Sequence, residues 1–257
     1  MNEIVRIVNN TEDMKIKLTF KYIIAFMAFT FLLGELHELV HTSIGRTMCG
    51  CWGDRDFNGW GLCDGCWDNL FPYSTITTFA GPLFTFIMGW IGYFLLGKNK
   101  TINQKALGFA LVFGNMPFAR LLTAAGGGGD EVYALSLLTE NFNLSWIVGF
   151  VGIFLITFPP LKRAYQEIGN KRKIGWFLLF FLTPTAIYLL VVLIGLNGLL
   201  SAGVLSGQGI LGSPVIINIW TVLIIVVLFF TRNHLYNLFI SSSINSEEES
   251  QSVTSNH

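Results

Sequence analysis

Two histidines four residues apart, His37 and His41, flank Glu38 in the stretch Gly34-Glu35-Leu36-His37-Glu38-Leu39-Val40-His41. On a helix, residues four apart share a face, so both imidazoles can reach one metal ion. Zinc suits that pair, and the carboxylate one step round the helix is placed to take a proton from a zinc-bound water. The chain has four histidines; the other two, His234 and His257, lie in the C-terminal region. A hydrolytic zinc site takes three protein ligands and leaves a position for water. The third ligand is therefore sought elsewhere. Asp130 is the first choice and Glu131 the second, because four glycines, Gly126 to Gly129, let the backbone turn sharply just before them. Arg120 is a candidate to pair with an acid of the site or to stabilise an oxyanion, and Asn115 is a candidate substrate contact.

The elements that must position these groups are membrane helices. Of 257 residues, 52% are hydrophobic and only 12% charged, against about a quarter charged in soluble domains. Crossing a bilayer needs about 20 apolar residues. Six runs meet or approach that length: 18–40, 75–96, 106–125, 144–161, 174–196 and 214–230. No strand-like alternation competes with them. The expectation is an all-α, polytopic membrane protein with about six transmembrane helices. The composition also places membrane lipid among its partners.

Charge then sets the orientation. With six spans, the two termini share a side with the loops near residues 97–105 and 162–173. That side carries thirteen of the sixteen lysines and arginines; the other holds only Arg46, Arg55 and Arg120. By the positive-inside rule, both termini are expected in the cytoplasm and the loop 42–72 outside. No small-residue cleavage site follows the first run, so it is expected to remain as an anchor. From Lys21 to His37 is roughly 24 Å of helix, which places the motif just inside the outer boundary of a core about 30 Å thick. From Lys105 to Arg120 is roughly 22 Å by the same rise, so two spans bring polar groups to one depth. Ionisable groups at that depth are functional candidates by default. Glu35, three residues before Glu38, either orients a ligand histidine or reaches the headgroups.

All four cysteines, Cys49, Cys51, Cys63 and Cys66, fall in the loop 42–72. In an oxidising exterior two disulfides are expected, with three possible pairings; a second, structural zinc is the alternative. The same loop carries Trp52, Trp60 and Trp67, which suits a lid lying at the interface over the motif. Asp54, Asp56, Asn58 and Gly59 copy the first half of a calcium loop, but Gly65 stands where a bidentate Glu is required. There is no internal repeat, no nucleotide-binding glycine pattern, and no basic, aromatic-laced patch for nucleic acid.

Three motifs on consecutive spans resemble the site-2 protease family of intramembrane zinc metalloproteases. His37-Glu38-x-x-His41 looks like the family's zinc motif. Ala80-Gly81-Pro82 resembles its Ala-Gly-Pro-x-x-Asn motif, with Thr85 where the family has Asn. Asn115, Pro117 and Asp130 are similar to its Asn-x-x-Pro…Asp-Gly motif, at altered spacing. The resemblance spans residues 34–131. It implies a membrane-embedded zinc metallohydrolase, a peptidase cleaving membrane or juxtamembrane polypeptide. Zinc would be held by His37 and His41 with Asp130 or Glu131, and Glu38 would be the catalytic base. On this reading the chain divides into a cytoplasmic arm (1–17), a metalloprotease-like core (18–135), three further transmembrane helices (136–240) and a disordered tail (241–257). The alternatives are a zinc-binding membrane protein that escorts or sequesters without cleaving, and a transporter lined by intramembrane acids and histidines. A transporter more often shows repeats or broken helices in both halves, whereas here the polar groups cluster in the first half.

Overall fold

The structure is a computed structural model describing residues 15–240. The tail 241–257 and all but the last three residues of the arm 1–17 lie outside the described residues. Among the described residues, six helices or runs of helices are long and apolar enough to cross a membrane, and the chain is an all-α, multi-pass membrane protein. Large apolar side chains such as Leu155, Leu190, Val222 and Phe230 face outward, as lipid-facing positions must.

Helix α1 (Phe20–Cys49) begins at Thr19, whose hydroxyl accepts from Tyr22 N–H, and ends where Gly50 turns left-handed at φ 78°. Its 30 residues span roughly 45 Å, well beyond a hydrocarbon core. This corrects the expectation of a loop from residue 42. Hydropathy fades after Val40, but no residue before Gly50 interrupts the backbone, so the helix continues and the His-Glu-x-x-His motif sits inside it. The connecting loop is residues 50–65, followed by the short helix α2 (Cys66–Leu70).

Helix α3 (Thr75–Leu95) contains Pro82. The third span is broken: α4 (Ile102–Gly114) stops at Asn115, Met116 takes a left-handed φ of 48°, and α5 (Pro117–Ala125) restarts with proline in its first turn. Proline belongs there because its missing N–H would have no helical partner. Gly126 to Gly129 lead into α6 (Asp130–Thr139), then α7 (Phe142–Glu167) crosses back. Helix α8 (Lys173–Tyr188) passes into a π-helical stretch (Leu189–Leu196) and α9 (Asn197–Ser201); α10 (Val215–Thr231) is the last span.

Helix α1 packs between α3 and α10. Helices α3 and α4 approach closely through Gly92 and Gly108, where an added Cβ would come within 2.8 Å of the facing carbonyl. Small residues at such crossings are the usual means of packing helices in a bilayer. Tyr22, Phe26, Phe109, Phe113 and Phe180 fill one end of the bundle; Phe109 lies 4.9 Å, centroid to centroid, from Phe180. At that end the strands β1 (Lys15–Ile16) and β2 (Phe239–Ile240) pair antiparallel. Asn170 bonds both the N–H and the carbonyl of Ile16. Both ends of the described chain therefore lie together.

Candidate metal centre

Helix α1 turns His37 and His41 toward α3, where Gly81 leaves room for them: a Cβ at Gly81 would collide with both rings. One turn to either side of Gly81 stand Thr77 and Thr85, on the same face of α3, and each orients one imidazole. His41 Nδ1 lies 2.6 Å from the Thr77 carbonyl oxygen, an acceptor only, so Nδ1 carries the proton. The Thr85 hydroxyl donates to the Gly81 carbonyl at 3.1 Å and can then accept from His37 Nδ1 at 2.9 Å. Such contacts fix the tautomer of a metal-ligating histidine. Both Nε2 atoms are left with lone pairs directed inward, 3.1 Å apart.

The third corner comes from the far side of the glycine turn. Asp130 Oδ2 lies 3.2 Å from His37 Nε2 and 3.5 Å from His41 Nε2. Three electron-rich atoms converging on one point call for a positive charge between them. Their spacing fits zinc: tetrahedral bonds of about 2.0–2.1 Å put ligand atoms about 3.3–3.4 Å apart. Histidine nitrogen and carboxylate oxygen are also zinc's usual hydrolytic donors. His41 is fully buried and His37 nearly so.

Glu38 lines the adjoining cavity beside His37. It is buried, and its Oε2 finds no hydrogen-bond partner among the described residues. A carboxylate oxygen left unbonded in the interior is costly unless it has work to do with a water or a substrate. The cavity, about 650 Å³, is walled by α1, α5, the glycine turn, α8 and the π-helical stretch. Its lining mixes apolar side chains such as Leu33, Phe118 and Leu193 with polar ones, among them Asn115, Thr185 and Tyr188 beside the charged groups of the site. Asn115 is thus in the cavity wall, with its amide donating to the Leu111 carbonyl.

Glu131 is placed differently from its neighbour. One residue further round α6 it faces Arg120, Oε1 to Nη1 at 3.1 Å, and so stands outside the triangle that Asp130 completes. Arg120 in turn lies against His37, its Nη2 2.8 Å from Nδ1 and 3.1 Å from Nε2, within hydrogen-bond reach of both ring nitrogens. Its Nη1 is 3.9 Å from Asp130 Oδ2.

The loop after α1 covers the remaining side. Its cysteines pair as Cys49–Cys66 and Cys51–Cys63. Trp60 stacks on His41 with ring centroids 4.6 Å apart and planes within 9°. Glu35, which sequence reasoning assigned to a ligand histidine or the headgroups, does neither. Its Oε2 accepts from Arg55 at 2.6 Å and from Thr221 of α10 at 3.3 Å, joining loop and bundle in a buried ion pair. Residues that sequence reasoning passed over are therefore Thr77, Arg55 and Tyr188; Thr85 was noted only as a departure from a motif. Thr77, Gly81 and Thr85 form an i, i+4, i+8 stripe, a spacing that could have singled them out. Comparison of the chain with family profiles, curated proteins and solved structures returned no match.

Proposed function

We propose that this chain is a membrane-embedded zinc metallohydrolase, a peptidase cleaving membrane or juxtamembrane polypeptide, with a core related to the site-2 protease family. The observation that carries the reading is the convergence of His37, His41 and Asp130 within 3.1–3.5 Å, on a cavity that also holds the unbonded carboxylate of Glu38. When bound, zinc supplies Lewis acidity and brings the pKa of its water toward neutrality. Glu38 takes a proton from the attacking water as its oxygen adds to the scissile carbonyl carbon. It then returns that proton to the amine nitrogen as the C–N bond breaks. Arg120, steadied by Glu131, brings a positive charge to the wall near which the carbonyl oxygen becomes negative. Thr77 and Thr85 hold the imidazoles, so little reorganisation accompanies each turnover.

The sidedness follows from charge and cysteine chemistry together. The lysine-rich end, where β1 meets β2, faces the cytoplasm. The disulfide-bonded loop then lies outside, where such bonds persist. The site accordingly sits toward the outer half of the bilayer.

Metal analysis and peptide hydrolysis by the detergent-purified chain test the reading. Wild-type protein is expected to carry one zinc and to cleave members of a panel of labelled transmembrane peptides. Glu38→Gln keeps the zinc and loses cleavage; His37→Ala loses both. Wild-type protein without stoichiometric zinc overturns the reading. A zinc-loaded wild type that cleaves nothing favours a binding protein that escorts its partner.

A further inference from the structure

We infer that Trp60 is a positioning residue of the metal centre and that the loop 50–65 is the centre's fixed outer wall; this rests on the zinc reading above. The hydrogen bond from His41 Nδ1 to the Thr77 carbonyl anchors one atom of the ring. It leaves the imidazole free to turn about that contact, and turning swings Nε2 away from His37 and Asp130. A flat surface laid parallel to the ring removes that freedom, and the Trp60 indole supplies it, at 4.6 Å and within 9° of parallel. The indole also excludes water from a face of a ligand that is fully buried. Aromatic pairs of this kind contribute beyond the area they bury.

A positioning residue must itself be held, and Trp60 is held from several directions. It closes a tight hairpin with Arg55 as its bridge partner; Asp56 N–H donates to Gly59 O at 2.9 Å and Gly61 N–H to Asp54 O at 2.7 Å. Cys51–Cys63 ties the base of the hairpin, and Arg55 ties its side to Glu35. At its tip Phe57 is fully buried. The Phe57 N–H donates to Asn197 Oδ1 at 3.2 Å, and its carbonyl accepts from the Tyr188 hydroxyl at 3.2 Å. The Glu35 side chain of α1, Tyr188 of α8 and Asn197 of α9 thus all grip the loop that carries Trp60. Trp52 and Trp67, from the same loop region, make no such contact with either histidine: Trp67 lies near Tyr133, and Trp52 beside Gly212.

The test compares Trp60→Ala, Trp60→Leu and Trp60→Phe in the full-length purified protein. Zinc affinity is read by competition with a chelator, and the ligand field by the visible absorption of the cobalt-loaded form. Loss of a contact that orients a ligand typically lowers metal affinity about 10–100-fold. Trp60→Ala and Trp60→Leu are expected to show that loss together with an altered cobalt spectrum. Trp60→Phe, which keeps a flat ring, is expected to stay within a few-fold of wild type with its spectrum intact. If the alanine protein does not fold, the leucine–phenylalanine pair decides, because a mere space-filling role would leave those two alike. Variants that all match a metal-binding wild type overturn the role of Trp60 and leave the zinc reading standing. A wild type that binds neither metal overturns both.

Discussion

Two connections deliver side chains to the histidine pair, and they are built in opposite ways. Residues 50–65 bring Trp60 and are fastened by two disulfides, a buried ion pair and two hydrogen bonds from one distant span. Residues 126–129 bring Asp130 with four glycines and only short-range backbone bonds, such as Gly128 N–H to Thr123 O at 2.9 Å. The first connection is held from outside itself and would keep its shape whatever happens at the centre. The second takes its final position from what its two acids touch: Asp130 the imidazoles, Glu131 the Arg120 guanidinium. The centre thus has one wall independent of its ligands and one that its ligands help to place.

That contrast can be broken at its sharpest point by removing the carboxylate that the glycine turn delivers. Asp130→Ala is expected to lower zinc retention more than 100-fold, above the loss typical of an outer contact. The lid's melting in detergent should be little changed. Equal loss of both would mean that the two walls are one unit. The next largest effect belongs to the fastened side. Arg55→Ala leaves the Glu35 carboxylate buried without its partner, at a cost of about 3–5 kcal/mol. It should lower the unfolding temperature in detergent markedly, and pairing it with Glu35→Gln should recover part of the loss. The smallest effect is at Gly129, with φ 90° and ψ 156°, a region that is essentially glycine's alone and costs other residues about 1–3 kcal/mol. Gly129→Ala should shift zinc affinity more than global stability, since the strain falls on the turn that aims Asp130.

What the sequence made legible was local. The histidine spacing works because a helix repeats every 3.6 residues, and the six spans could be recognised because crossing a bilayer demands length and apolarity. Asp130 was legible as a candidate because glycines precede it, but its separation from Glu131 was not. Adjacent helix positions point about 100° apart, and only the placement of Arg120 decides which acid faces which neighbour. The lid was suggested by its cysteines and tryptophans, yet which tryptophan meets His41 depends on the disulfide pairing and on grips from Asn197 and Tyr188, some 130–140 residues away. Glu35 was misjudged for the same reason. Its partner, Arg55, lies across a loop whose path no periodicity describes. The end of α1 was misplaced because hydropathy measures what the membrane accepts, whereas the helix stops where the backbone meets Gly50.

The pairing of β1 with β2 has a consequence for the helix that bears the chemistry. Residues near a chain terminus are prone to fraying unless something ties them down. Here Lys15 pairs with Ile240, Lys17 N–H bonds the Leu238 carbonyl at 2.9 Å, and α1 lies against α10. The start of α1 is thus fastened to the end of the last span by a pairing of four residues. Such a chain is suited to circular permutation: joining residues 15 and 240 through a short linker and opening the 97–101 turn would make the histidine-bearing helix the fifth of the six spans without moving it in space.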